Sequence, residues 1–327
     1  MTQLLSSPLL SSPIAFFCYN RPDHTRKTLE ALKANYMASE SRLFVFSDSP
    51  KDDKSAEGVR QVREYLSRLD GFASIEIVER EENYGCAKNI ILGITQVARE
   101  FGRVIIVEDD ILTSPYFLTY MNEALELYKD DEKVGTVSGW LSPMSMCSGE
   151  EKEMPQSFFV AAGVGIWGWG TWQRSWCSYE YDAWKLLQRI KEAGLEDEFN
   201  FGLKHKPRSK NLEDQAMGYI GTWDYQLVAS MFIHGRLSLV PGRTLTNNIG
   251  CDGTGEHCGP ADYDKVNLKL AEEYVPLRKI PIEANQHIDN YFAEAFARAN
   301  PSRSILYRAA RKVWHILRGR NKRTRKT

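Results

Sequence analysis

The 327-residue sequence contains no apolar run near the ~20 residues that a membrane span requires, so no transmembrane helix is expected. Its first residues lack a basic flank ahead of an apolar stretch, so no secretory signal is expected either, and the reading is cytoplasmic. No G-x-G-x-x-G follows the first predicted strand and no G-x-x-x-x-G-K-[ST] occurs, which speaks against dinucleotide and P-loop phosphate binding. Cysteine is sparse and scattered, at Cys18, Cys86, Cys147, Cys177, Cys251 and Cys258, a pattern that suits free thiols in a reducing compartment. Only Cys251, His257 and Cys258 crowd together, and a zinc site would need more ligands at a recognisable spacing.

What is present suits a large globular body. The chain is 43% hydrophobic, and its length allows one big domain or two intimate halves. A formal net charge of -1 hides a segregation, because residues 303–326 hold ten of the basic residues and no acid. That tail also places Leu306, Ala309, Val313, Ile316 and Leu317 at helical spacing. A helix with a basic face and an apolar face suits the surface of an anionic membrane, and a peripheral association at its inner face is the expectation. Packing of the apolar face on the body is the plainer alternative. Nucleic acid would accept the same charge, but no recognition motif accompanies it, so none is expected as a partner.

The first half alternates strand and helix. "PIAFFCY" (13–19), "RLFVFSD" (42–48), "ASIEIVER" (73–80) and "RVIIVEDD" (103–110) read as strands, with helical patterns between them. This order implies an α/β fold with a mostly parallel central sheet and right-handed crossovers. The strand ends then converge on one edge, bringing together Asn20 and Arg21, Asp48, Asn83 to Gly85, and the triplet Glu108, Asp109 and Asp110. Open α/β sheets bind ligands at that edge. Three adjacent carboxylates repel one another unless a cation or hydrogen-bond donors neutralise them. Mg²⁺ or Mn²⁺ suits carboxylate oxygens and bridges them to substrate phosphates. With Arg21 opposite, the edge would bind a nucleotide diphosphate between metal and guanidinium. The plainer alternative is a solvated turn whose acids cap the next helix.

The stretches "FFCYNRP", "FVFSDSP", "ENYGCAKN" and "VIIVEDDI", in that order, resemble the nucleotide-sugar half of GT-A glycosyltransferases. The similarity is to the inverting N-acetylglucosaminyltransferase of the N-glycan pathway and to bacterial transferases of surface-polysaccharide synthesis. The resemblance implies a GT-A fold of Rossmann type, with residues 1–150 as the donor half and 151–285 as the acceptor and catalytic half. Residues 286–327 would form the helical basic tail. It also implies roles: Arg21 on the nucleotide phosphate, Asp48 on the base edge, Asp110 as the direct metal ligand, and Glu108 and Asp109 toward the sugar, the ribose or metal-bound water. Asn20, Asn83 and Gly85 would complete the donor site. The partners implied are a nucleotide-diphosphate sugar, UDP favoured, and a glycan or lipid-linked glycan acceptor of capsule, lipopolysaccharide or other surface-glycan assembly.

The second half supplies different residues. "GVGIWGWGTWQRSWCSYEYDAW" (163–184) sets five tryptophans among glycines, and flat aromatic faces suit sugar rings, so Trp167 and Trp169 are expected to bind acceptor, although tryptophans at this spacing also build cores. In "TWDYQLVASMFIHG", read as a helix, Asp224 resembles the family's acid after a tryptophan and is the expected catalytic base, with Glu213 or Asp214 in reserve. The relative has two consecutive acids there and this chain has one; Asp224 as a helix cap is the plainer reading. "LSLVPGRTLTNNIG" reads as one strand entering a glycine-rich loop, where Asn247, Asn248 and Gly250 would shape the cover over the donor. A late His257 would give the metal a third point, as GT-A enzymes often do. Two rival classes are a sugar-1-phosphate nucleotidyltransferase and a carbohydrate-binding protein without catalysis. The first needs a glycine-rich basic loop that "CYNRPDHT" does not supply, and the second does not need the acid triplet.

Overall fold

The computed structural model describes residues 11–143, 154–161, 163, 165–201, 208–254 and 266–299. Strand β1 (Ile14–Cys18) is buried along its whole length, as an apolar run inside a parallel sheet must be. It pairs in parallel with β2 (Arg42–Ser47) on one side and with β4 (Arg103–Glu108) on the other, and β3 (Ser74–Glu79) extends β2. The crossovers are α1 (Pro22–Lys33), α2 (Asp53–Leu66) and α3 (Gly85–Phe101). The α/β alternation expected from the sequence is therefore present, with each strand within two residues of its predicted bounds.

Side chains alternate faces along β1 and sort the core into two layers. Ile14, Phe16 and Cys18 pack with Leu29 and Leu32 of α1, Val62 and Leu66 of α2, and Phe117, Met121 and Leu125 of α4 (Phe117–Leu127). Ala15 and Phe17 face the opposite way, onto Ile90, Ile94 and Val97 of α3, which recur at the spacing of one helical face.

The second half of the chain adds to the same sheet. β8 (Trp169–Trp172) enters antiparallel between β4 and β6 (Val134–Ser138), and β9 (Leu237–Pro241) and β7 (Ser157–Val160) complete the order β3-β2-β1-β4-β8-β6-β9-β7. The sheet is parallel from β3 to β4 and mixed beyond it. The two predicted halves are thus joined through one continuous sheet.

Two expectations are corrected here. The segment read as one strand from 237 to 250 is two, because the chain leaves the main sheet after Pro241 and re-enters as β10 (Thr246–Asn248), which pairs antiparallel with β5 (Ile111–Thr113). Cys251 is disulfide-bonded, against the expectation of free thiols throughout, whereas Cys18 and Cys177 are free. Helix α10 (Gln286–Ala299) begins the predicted tail, and its Ile288 is buried with Phe158 and Val240. That first part packs on the body. The basic stretch 303–326 lies outside the described residues, and among those described no helix is long and apolar enough to cross a membrane.

Candidate active site

The acid triplet stands at the carboxyl end of β4, where the sheet opens. Glu108 is the last strand residue, and Asp109 and Asp110 form the turn into β5. The Arg21 guanidinium, from the turn between β1 and α1, bonds both aspartates, with Nη2 2.9 Å from Asp110 Oδ2 and a short contact to Asp109 Oδ1. The Thr28 hydroxyl on α1 donates to the Asp109 carbonyl at 2.8 Å, so the helix holds the turn from its second round. One guanidinium against three acids leaves negative charge uncompensated. Burial beside Asp110 and Asp109 pushes Glu108 up to about 8, with Arg21 opposing the shift, and burial also raises Asp109.

A cover closes over this cluster from the far end of the chain. The Ile249 N–H donates to the Asp110 carbonyl at 2.8 Å, just beyond the β5–β10 pairing, and Asp252 Oδ2 lies 3.1 Å from His24 Nε2 on α1. Gly250 is seated so closely that a Cβ there would strike the Asp110 carboxylate and stand 3.1 Å from Arg21 Nη1. Neither His24 nor Asp252 was expected from the sequence. His24 lies three residues after Arg21 in the first turns of α1, so a helical-face argument would have found it; nothing local marks Asp252 as its partner.

Asp48 is placed at the same sheet edge, where its carboxylate accepts several hydrogen bonds. Its Oδ1 accepts the Ser49 and Tyr84 N–H groups at 2.9 Å each, and its Oδ2 accepts Gly85 N–H at 2.8 Å and Asn83 Nδ2 at 3.1 Å. A carboxylate offers about four acceptor positions, and all four are filled. Asp48 therefore organises the start of α3 and gathers Asn83 and Gly85. Asn20 is held by its backbone, because Gly58 on α2 packs against its carbonyl so tightly that a Cβ would fall inside the oxygen's van der Waals surface. Gly58→Ala should consequently lower stability by about 1–3 kcal/mol in thermal or urea denaturation. Helix propensity alone would make the same change stabilising by about 1 kcal/mol, so a rise in stability would refute the contact.

Asp224 opens α9 (Asp224–Ile233). The helix-cap reading fails on position: the N-cap is Trp223, and Asp224 Oδ1 accepts from the Thr222 hydroxyl at the preceding turn. Gln215 bonds the Thr222 N–H and carbonyl at 3.0 and 2.9 Å, which fixes that turn. Asp224 is among the charges that raise Glu108, which places it within electrostatic reach of the acid cluster. The reserve bases are committed elsewhere on α8 (Arg208–Ala216), where Lys210 pairs with Glu213 and Asp214 at 3.1 Å each.

The tryptophan expectation is corrected in part. Trp169 is fully buried in β8, stacked on buried Trp223 with centroids 5.7 Å apart, and cannot meet an acceptor. Its position between β4 and β6 makes it the wall behind Trp223, and so behind Asp224. Trp167 remains half-buried, edge-on to Trp140 at 4.5 Å, with its carbonyl accepting the Thr246 hydroxyl. Among the described tryptophans of this run, Trp184 is well exposed.

A divalent cation fits the donor chemistry here, since hard carboxylate oxygens carry excess charge at the cluster. Among the described residues no three metal-ligating side chains converge on one point, and His257 lies outside them. Such a donor set suits a cation that takes one or two carboxylates and completes its shell with substrate phosphate oxygens.

A sheet parallel through its first half, a carboxylate cluster at a strand end and a second acid within electrostatic reach of it make an α/β protein with a candidate ligand edge. Residues 5–154 match the profile of the GNT-I family, so the first half of the chain resembles these glycosyltransferases, as its motifs imply. No curated protein sequence matches the chain. Among solved structures, the mannosyltransferase PcManGT of Pyrobaculum calidifontis, in complex with GDP-Man and Mn²⁺, overlaps at 14% identity and TM-score 0.42, covering 94% of this chain and 80% of that one. S. aureus TarS overlaps at 17% identity and TM-score 0.28, covering 39% of this chain, which spans only 21% of TarS. Its fragment 1–349 overlaps at 10% identity and TM-score 0.40, covering 72% and 59%. At these scores the overlaps are loose.

Proposed function

We propose that the protein transfers a sugar from a nucleotide-diphosphate donor to a glycan hydroxyl with inversion at the anomeric carbon. The observation that carries this reading is the Arg21–Asp109–Asp110 cluster at the end of β4, with Asp224 within electrostatic reach of it. Arg21 neutralises the aspartates and offers the same guanidinium to a diphosphate oxygen. Asp110 would hold Mn²⁺ or Mg²⁺, which offsets the charge developing on the leaving diphosphate. Glu108 and Asp109 would face the sugar, the ribose or metal-bound water. Gly250 and the His24–Asp252 contact cover the cluster and limit water.

Asp224 takes the proton from the acceptor hydroxyl while that oxygen attacks the anomeric carbon from the face opposite the diphosphate. The new carbon–oxygen bond forms as the bond to phosphate breaks, and the electron pair leaves with the diphosphate. By resemblance UDP is the favoured nucleotide, and a glycan or lipid-linked glycan is the acceptor. The basic segment 303–326 suits an anionic membrane where such an acceptor would reside.

The test uses water as a surrogate acceptor. Proton NMR of slow hydrolysis of α-linked UDP- and GDP-sugars with Mn²⁺ should show the β-anomer of the free sugar first. The α-anomer first would overturn inversion, and no hydrolysis or transfer from any donor would overturn the activity.

A further inference from the structure

The segment that covers Asp110 has a firmly held end and a lighter one. Up to Asn248 it is fixed, because β10 pairs with β5 and Asn248 exchanges two bonds with the Asn267 side chain, its N–H donating at 2.8 Å and its carbonyl accepting at 2.7 Å. Beyond Asn248 it is held to the acid cluster more lightly. The Ile249 N–H reaches the Asp110 carbonyl, Gly250 packs on the Asp110 carboxylate, and Asp252 meets His24 of α1. Cys251, between them, is buried and disulfide-bonded. Asp252 is oriented for its contact: Oδ1 accepts the Thr254 N–H at 2.9 Å and the Thr254 hydroxyl at 2.6 Å, while Oδ2 lies 3.1 Å from His24 Nε2. The His24 side chain is only 14% exposed and that of Asp252 is 44% exposed, so the pair joins an enclosed imidazole to the rim of the strap.

This strap lies where a ligand of the cluster must pass. Asp110 Oδ2 already holds Arg21 Nη2 at 2.9 Å, and a Cβ on Gly250 would stand 2.3 Å from the same oxygen. A cation carrying phosphate oxygens is larger than a methyl group, so it reaches that oxygen only when the strap lifts. Lifting the strap breaks the Ile249 bond and the His24–Asp252 contact together. Of the two, only the side-chain contact can be removed by substitution without touching the backbone.

We infer that His24 and Asp252 are positioning residues that latch the strap 249–252 over Asp110, and that release of this latch limits the exit of the donor nucleotide. The inference rests on the nucleotide-sugar reading for the ligand, and on the strap contacts alone for the latch. The test has two readouts on the full chain with its disulfide intact. Amide hydrogen exchange of Ile249 in the unliganded protein measures opening of the strap. Stopped-flow displacement of a fluorescent UDP analogue by excess UDP, with Mn²⁺ present, measures release. His24→Ala and Asp252→Ala should each speed both processes roughly three- to tenfold, as loss of a half-buried charged contact implies, while the unliganded protein melts within a few degrees of wild type. The double variant should be no faster than either single one, because the two side chains share one contact. His24→Gln, whose amide can still meet Asp252, should recover part of the slow release.

Unchanged exchange in both single variants, or fully additive effects in the double variant, would overturn the latch. Faster exchange with unaltered release of the analogue would overturn its hold on the nucleotide. If wild type bound no nucleotide while the variants still exchanged Ile249 faster, the nucleotide-sugar reading would fall and the latch itself would stand.

Discussion

Asp110→Ala is expected to lose divalent-dependent nucleotide binding by at least ~100-fold, or about 2.7 kcal/mol, while the unliganded protein melts within a few degrees of wild type. The two halves of that expectation have separate causes. The fold depends on the Asp110 backbone, whose carbonyl accepts the Ile249 N–H, and this bond survives the substitution. The carboxylate itself adds repulsion to a cluster that already raises Glu108, and Arg21 keeps its bond to Asp109 when Asp110 is shortened. Loss of one acid therefore removes strain as well as an ion pair. What disappears is the oxygen that a cation would share with the diphosphate. Calorimetric titration of UDP and GDP with Mn²⁺ measures the loss, and unchanged affinity would sink the metal assignment.

Asp224→Asn should reduce turnover by roughly 10²–10⁴-fold with donor binding intact, the range expected when a positioned base is removed. The amide keeps the shape and can still meet the Thr222 hydroxyl, so the turn held by Gln215 and the Trp223–Trp169 stack should persist. Substituting Glu213 or Asp214 should change turnover little, because their carboxylates are paired with Lys210 on α8. Steady-state rates beside nucleotide affinity separate the cases. A fall in nucleotide binding along with the rate would make Asp224 a donor residue, and an unaltered rate would return the base to the reserve candidates.

The first half was legible because its signals are local. Short apolar runs between amphipathic stretches mark β1 to β4, and the acids stand at the end of the last of them. The Asp110 and Arg21 contacts follow from parallel topology alone, which sends all strand ends to one edge. The hydrogen bonds of Asp48 were not legible because the amides that fill its oxygens include those of Tyr84 and Gly85, more than thirty residues later. Trp169 was misread for a related reason: a glycine-flanked tryptophan is a sugar platform or a core residue according to what lies beside it, and β4 and β6 close on both its sides. The division of 237–250 between two sheets is likewise set by β5, a partner remote in sequence. His24 with Asp252 is a juxtaposition of the same long-range kind.

The most direct test of the central claim is the melting temperature of the full chain with UDP, GDP or CMP, each with and without Mn²⁺. A ligand that binds only the folded state stabilises it by mass action, about 2.7 kcal/mol at a hundredfold excess over Kd. The nucleotide-sugar reading predicts that one diphosphate, UDP first, raises the melting temperature by several degrees and does so only when Mn²⁺ is present. No rise with any nucleotide would contradict it.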